Sequence, residues 1–138
     1  MAITQAVCLS YKEDLFNGVH ETADTYKIAL YTSSATLDKN TTAYTATNEV
    51  ANGNGYTTGG ATLGSRTVGS SSDVRYLMWA DPQWTTSTIT ARGALIYNSS
   101  QSNAALCVID FGSDISSTAG TFTVDFPAAG ASALLRIP

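Results

Sequence analysis

The chain has 138 residues, a length that fits one folded domain with a single core. Charged residues make up 13% of it, about half the share usual in globular proteins, and Ser, Thr, Asn and Gly fill the gap. A formal net charge of −4 with seven scattered basic residues argues against nucleic-acid binding, which needs Lys and Arg on phosphates. No run approaches the roughly 18 consecutive apolar residues of a membrane span.

The start, Met1-Ala-Ile-Thr-Gln, lacks the basic and apolar regions of a secretory signal, so synthesis in a cytosol is expected. From Thr4 to Asn17, Val7, Tyr11 and Leu15 recur at helical spacing, with Cys8 and Phe16 on the adjoining edge. Gly18 follows where a left-handed C-cap belongs, so one short amphipathic helix is predicted over about residues 4–17. Tyr26, Ile28 and Leu30 then alternate with Lys27, Ala29 and Tyr31, which predicts a strand over Thr25–Thr32.

Residues 33–60 are rich in Thr, Ser, Asn and Gly and hold few large aliphatics. They read as a long polar excursion, with a brief helix over Thr41–Val50 and a strand over Gly55–Leu63. Excursions of this length within a compact domain are usually functional, so contacts to another molecule are expected here. A Ser/Gly stretch at Ser65–Ser72 follows as a loop.

From Val74 onward about five β-type runs succeed one another. Val74–Trp79 ends at Asp81-Pro82, where proline stops ladder bonding, and both faces of this strand are expected to be covered. Thr86–Tyr97, the near-continuous apolar run Ala104–Phe111, Thr121–Phe126 and Ala133–Ile137 complete the series. Short strands with turn-forming joints predict a mainly β chain, an antiparallel β-sandwich or jelly roll with one N-terminal helix, as a single domain over residues 1–138. The expected core positions are Tyr76, Met78, Ile96, Leu106, Val108, Phe122, Val124 and Phe126.

Residue types for chemistry are sparse. His20 with Asp24 and a serine could form a hydrolase triad, but no Gly-x-Ser-x-Gly elbow is present and His20 follows the helix cap. Glu13-Asp14 and the pair Asp110 and Asp114 lack the repeated acidic ligands of a calcium loop. Gly53-Asn54-Gly55 and Gly59-Gly60 lack the Gly-Lys-Ser/Thr ending of a phosphate cradle. Cys8 and Cys107, far apart and without CxxC spacing, read as buried small hydrophobes rather than a disulfide or metal pair. No catalytic residue, metal ligand or cofactor is expected. Trp79 and Trp84, flanking Asp81-Pro82, are either core packing near a strand end or a platform for a sugar.

The stretches MAITQAVCLSYKEDLFNGVH, DTYKIALYTSSATL, NEVANGNGYTTGGATL, TARGALIYNSS and GTFTVDFPAAG are spread along nearly the whole chain. Together they resemble small virion structural proteins of tailed bacteriophages. The resemblance implies a non-enzymatic virion component: a capsid decoration (cement) protein, a head fibre or a tail component. Without heptads or repeats of a fibre, the residues favour a decoration protein on the capsid surface that binds the major capsid protein. The contacts are expected at Tyr44, Asn48, Asn52, Asn54 and Tyr56. A weakly charged, hydroxyl-rich surface also favours self-assembly, as a trimer or dimer, with no nucleic-acid or membrane partner. The alternative is a tail, baseplate or fibre component, an adhesin that grips host glycans through Trp79 and Trp84.

Overall fold

The computed structural model of the chain describes residues 2–127 and 134–137. Within them the chain is mainly β with one short helix and antiparallel sheets, a β-sandwich-like fold. In chain order the elements are β1 (Ala6–Val7), α1 (Leu9–Asn17), β2 (Tyr26–Tyr31), β3 (Ala61–Thr62), β4 (Thr67–Ser71), β5 (Val74–Met78), β6 (Gln83–Ser87), β7 (Thr90–Asn98), β8 (Ala104–Ser116), β9 (Gly120–Thr123) and β10 (Leu135–Ile137). They form a five-stranded sheet in the order β1-β8-β7-β2-β3, a three-stranded ribbon β10-β5-β4 and a pair β6-β9.

The core sits on the three central strands of the large sheet. Cross-strand partners share a face, so Ile28, Ile96 and Cys107 lie on one side, and Ala29, Leu95 and Val108 on the other. Both sets are buried, which explains why the first half of β8 reads as a near-continuous apolar run, and it means that β2, whose alternation suggests one buried face, is covered on both. Each fully buried Leu or Ile side chain here contributes about 2 kcal/mol of transfer free energy. On the Ile28 side, the rings of Tyr11, His20, Tyr26 and Trp79 follow one another at centroid separations of 5.2, 6.4 and 5.5 Å. On the Leu95 side the polar excursion closes the core.

The helix ends as the sequence predicts: Gly18 takes φ 66° and its N–H bonds to the Asp14 carbonyl. It starts later than predicted, at Leu9, because Ala6 and Val7 pair with Val108 and Cys107 as a strand. The Leu9 N–H, one of the orphan donors of the first turn, goes to the Lys39 carbonyl rather than to a capping side chain. Both cysteines are free and buried. Burial and then Asp38 push the Cys8 thiol up to about 11, and burial pushes Cys107 up further, so neither supplies a thiolate.

Several local expectations are corrected. Residues Thr41–Val50 form no helix: the segment is rich in β-branched Thr, and Asn48 takes φ 60° just before Glu49 bridges Tyr31. The Gly55–Leu63 strand shrinks to Ala61–Thr62, because Gly55, Gly59 and Gly60 all take positive φ. The Thr86–Tyr97 run is not one strand: Thr86 and Ser87 belong to β6, where Thr86 takes φ 48° at a bulge between Trp84 and Ser87, and β7 begins only at Thr90. The Ser65–Ser72 loop instead contains β4, which pairs with β5 through a two-residue turn at Ser72-Asp73. That ribbon also overturns the expected cover on both faces of the Val74 strand. No residue of β4 or β5 is fully buried, and Tyr76 and Met78 are only half-buried, as is Phe126. Ile96, Leu106, Val108, Phe122 and Val124 are core residues. Of the predicted C-terminal strand, Leu135–Ile137 is formed and Ala133 lies outside the described residues.

Candidate functional site

The excursion between β2 and β3 is organised by one carboxylate. Glu49 accepts hydrogen bonds from the Tyr44 hydroxyl at 2.6 Å, the Tyr56 hydroxyl at 2.5 Å and the Gly59 N–H at 2.8 Å. Hydrogen bonds to an ionised acceptor are the strong kind, and here three of them draw distant parts of the loop to one point. The same tyrosines are tied to the sheet. The Tyr56 hydroxyl accepts the Leu30 N–H at 2.9 Å, and Tyr44 stacks on Tyr97 with ring centroids 4.7 Å apart. Tyr97 donates to the Gly59 carbonyl and Tyr31 to the Thr45 carbonyl, each at 2.6 Å. Backbone bonds from Thr32 N–H to Asn48 O and from Val50 N–H to Leu30 O continue the β2 ladder into the loop.

Burial raises the phenols of Tyr31, Tyr44 and Tyr56 well above the ordinary tyrosine range. For Tyr44 and Tyr56 the hydrogen bond to Glu49 adds to it, because that bond needs the proton. Burial and then Glu49 push Tyr97 up to about 12. The loop is therefore held by phenols that stay protonated donors across the neutral pH range.

Glycine makes the close packing possible at two points. Asn54 (φ 53°) and Gly55 (φ 90°) form a two-residue turn closed by Gly53 and Tyr56, the left-handed pair that an Asn-Gly sequence favours. A Cβ at Gly55 would lie 2.8 Å from the Ser87 backbone, and one at Gly60 would lie 1.8 Å from the Ile28 carbonyl oxygen. The outward side of the loop is polar. Asn48, Asn52 and Asn54 are exposed; Asn48 donates to the Ser34 carbonyl at 3.2 Å, and Asn52 accepts the Thr58 N–H at 3.0 Å.

The expected contact residues thus divide into two groups. Asn48, Asn52 and Asn54 face solvent on a fixed backbone. Tyr44 and Tyr56 turn inward: both hydroxyls point at Glu49 and fasten the loop, with Tyr44 half-buried and Tyr56 buried. Trp79 and Trp84 are core residues, Trp79 against Tyr26 and Trp84 between Tyr56 and Phe122, so neither offers a face to a sugar. Glu49, the residue on which the arrangement turns, was not singled out by sequence. Its signal was the one carboxylate between Asp38 and Asp73, with a tyrosine five residues before it and another seven after.

His20 is engaged at both ring nitrogens, at 3.2 Å from Asp14 and 2.9 Å from the Asn98 amide nitrogen, with its side chain only 4% exposed. Asn98 donates onward to Asp24 at 2.8 Å, and this bond, ahead of the Glu21 N–H, lowers the Asp24 carboxyl below its usual range. The ring therefore has no nitrogen left to activate a serine. Among the described residues, no group of three or more His, Cys, Asp or Glu is placed to hold a metal ion, and no helix is long and apolar enough to cross a membrane. Comparison with family models, with curated proteins and with solved structures found no match to this chain.

Proposed function

We propose that this chain is a non-enzymatic structural protein of a bacteriophage virion, one that decorates the capsid by binding the major capsid protein through the outer face of the 33–60 excursion. The observation that carries this reading is the loop's construction. Fastened from beneath through Glu49, it displays Asn48, Asn52 and Asn54 on a backbone that is already ordered. A surface fixed in advance gives up little conformational freedom on docking, which is what stable adhesion to a protein shell requires. The virion assignment itself comes from the sequence resemblance. Association into a trimer or dimer on the shell belongs to the same reading, because a many-copy lattice multiplies modest contacts.

Purified protein is expected to bind mature heads that lack it and to raise their resistance to heat. The double variant Asn52→Asp, Asn54→Asp keeps the acceptor for the Thr58 N–H and a residue that tolerates left-handed backbone at position 54, while placing two new charges on the docking face. It should fold normally and bind heads weakly. Wild-type protein that binds tails alone, or heads not at all, would overturn the assignment.

A further inference from the structure

On the side of α1 that faces the β10-β5-β4 ribbon lies a groove of about 930 Å³. Helical spacing sets Tyr11 and Leu15 one turn apart, and likewise Lys12 and Phe16. Only Tyr11 is buried; Phe16 is 94% exposed, and across the groove Val68 is 63% and Ile137 60% exposed. Six large hydrophobic side chains are exposed among the described residues, and four of them, these three and Leu15, line this one groove. Scattered exposed apolar residues need no explanation, but their concentration in one concavity does.

The charges are concentrated as well. Lys12, Arg66, Arg75 and Arg136 line the groove, four of the chain's seven basic residues, and no Asp or Glu lines it among the described residues. The rest of the chain carries all eleven acidic residues against three basic ones. The Arg66 guanidinium lies 5.7 Å from the Tyr26 ring centroid, and its Nε is buried without a hydrogen-bond partner. A buried donor in that state lacks the acceptor that would offset its desolvation. Two grooves facing each other would set cations against cations, which disfavours a symmetric pair of copies through this face. Beside the groove, β4 is an edge strand, with β5 as its only sheet neighbour among the described residues. An extended peptide can pair with such an edge, and a lipid cannot.

We propose that this groove docks an extended acidic segment of another protein, its apolar side chains against Phe16, Val68 and Ile137 and its carboxylates on Arg66, Arg75 and Arg136. The inference shares no residue with the 33–60 surface and stands whether or not the chain belongs to a virion.

The test uses the full chain as bait for a displayed library of random peptides about a dozen residues long, counter-selected on the variant Arg75→Glu, Arg136→Glu. Enriched peptides should carry an excess of Asp and Glu beside Leu, Ile or Phe. A synthetic copy of one should bind the charge-reversed variant and a Phe16→Ser variant about tenfold more weakly. Added salt should weaken its binding to wild type. Far-UV circular dichroism on each variant confirms that the fold is kept. Enrichment without acidic excess, or equal binding to the charge-reversed variant, overturns the proposal. Two further results also overturn it: self-association in sedimentation that Phe16→Ser abolishes assigns the groove to a second copy, and groove-dependent flotation with phosphatidylglycerol vesicles assigns it to lipid.

Discussion

The 33–60 excursion and the β4–β5 hairpin differ in a way that reverses the usual association of regular structure with rigidity. The excursion has no helix and no strand of its own, yet Tyr56, Ala35, Leu37 and Gly59 within it are buried, and its polar root is bonded to the central sheet. The hairpin has a complete antiparallel ladder from Thr67↔Met78 to Ser71↔Val74 but buries none of its residues fully. Backbone pairing is exchanged against water and contributes little net stability, whereas buried apolar area and satisfied buried polar groups contribute much. The irregular loop is therefore the firmer platform, and the regular ribbon is the adjustable one.

The contrast can be broken first at Gly60. Ala there places a Cβ against the Ile28 carbonyl at a backbone angle of φ +83°, so Gly60→Ala should destabilise by about 4 kcal/mol in urea denaturation. Glu49→Ala comes next. It removes the acceptor of three hydrogen bonds and should cost about 3 kcal/mol, read as a lowered thermal midpoint. Tyr76→Ala in the ribbon should cost only about 1 kcal/mol, since the residue is half-buried and outside the main core. A loss at Tyr76 matching that at Glu49 would erase the distinction between the two regions.

The smallest expected effect is electrostatic. Asp24 has its folded-state pKa lowered, first by the Asn98 amide and then by the Glu21 N–H. A depressed carboxyl stabilises the fold above its unfolded pKa, and that contribution is lost as pH falls through the folded value. Denaturation midpoints of wild type should therefore drop from about pH 4 downward, and Asp24→Asn should flatten part of that decline. The buried phenols act at the other end. Tyr97, raised to about 12, favours the folded state below its unfolded pKa, and this is lost as pH rises through the raised value.

Much of this architecture was legible in the sequence, for reasons tied to particular residues. The apolar run from Ala105 to Val108 could only be a strand covered on both sides, and Gly18 could only be a helix stop. Asn54-Gly55 forms a tight turn where the sequence suggests the start of a strand, and local composition does not show that Gly55 meets the Ser87 backbone. The β4 strand was hidden because Thr67-Val-Gly-Ser-Ser has weak strand character, and its turn, Ser72-Asp73, lacks the Asn-Gly signature. It exists through pairing with β5, a long-range gain that local composition does not encode. In the excursion, the asparagines expected outward are exposed, whereas the tyrosines expected outward turn their hydroxyls to Glu49. A tyrosine in a polar loop reads the same whether its hydroxyl meets a partner or a carboxylate beneath it. The helix showed the converse error: Leu15 and Phe16 sit at core-facing spacing, yet the described structure leaves them on an open groove.

Amide hydrogen exchange tests the central claim, that the polar excursion is held as firmly as the sheet beneath it. The N–H groups of Thr32, Val50 and Gly59, bonded to Asn48 O, Leu30 O and the Glu49 carboxylate, should exchange as slowly as those of β7, and more slowly than those of β4 and β5. Fast exchange at Val50 and Gly59 alongside strong protection across the β4–β5 ladder would contradict it.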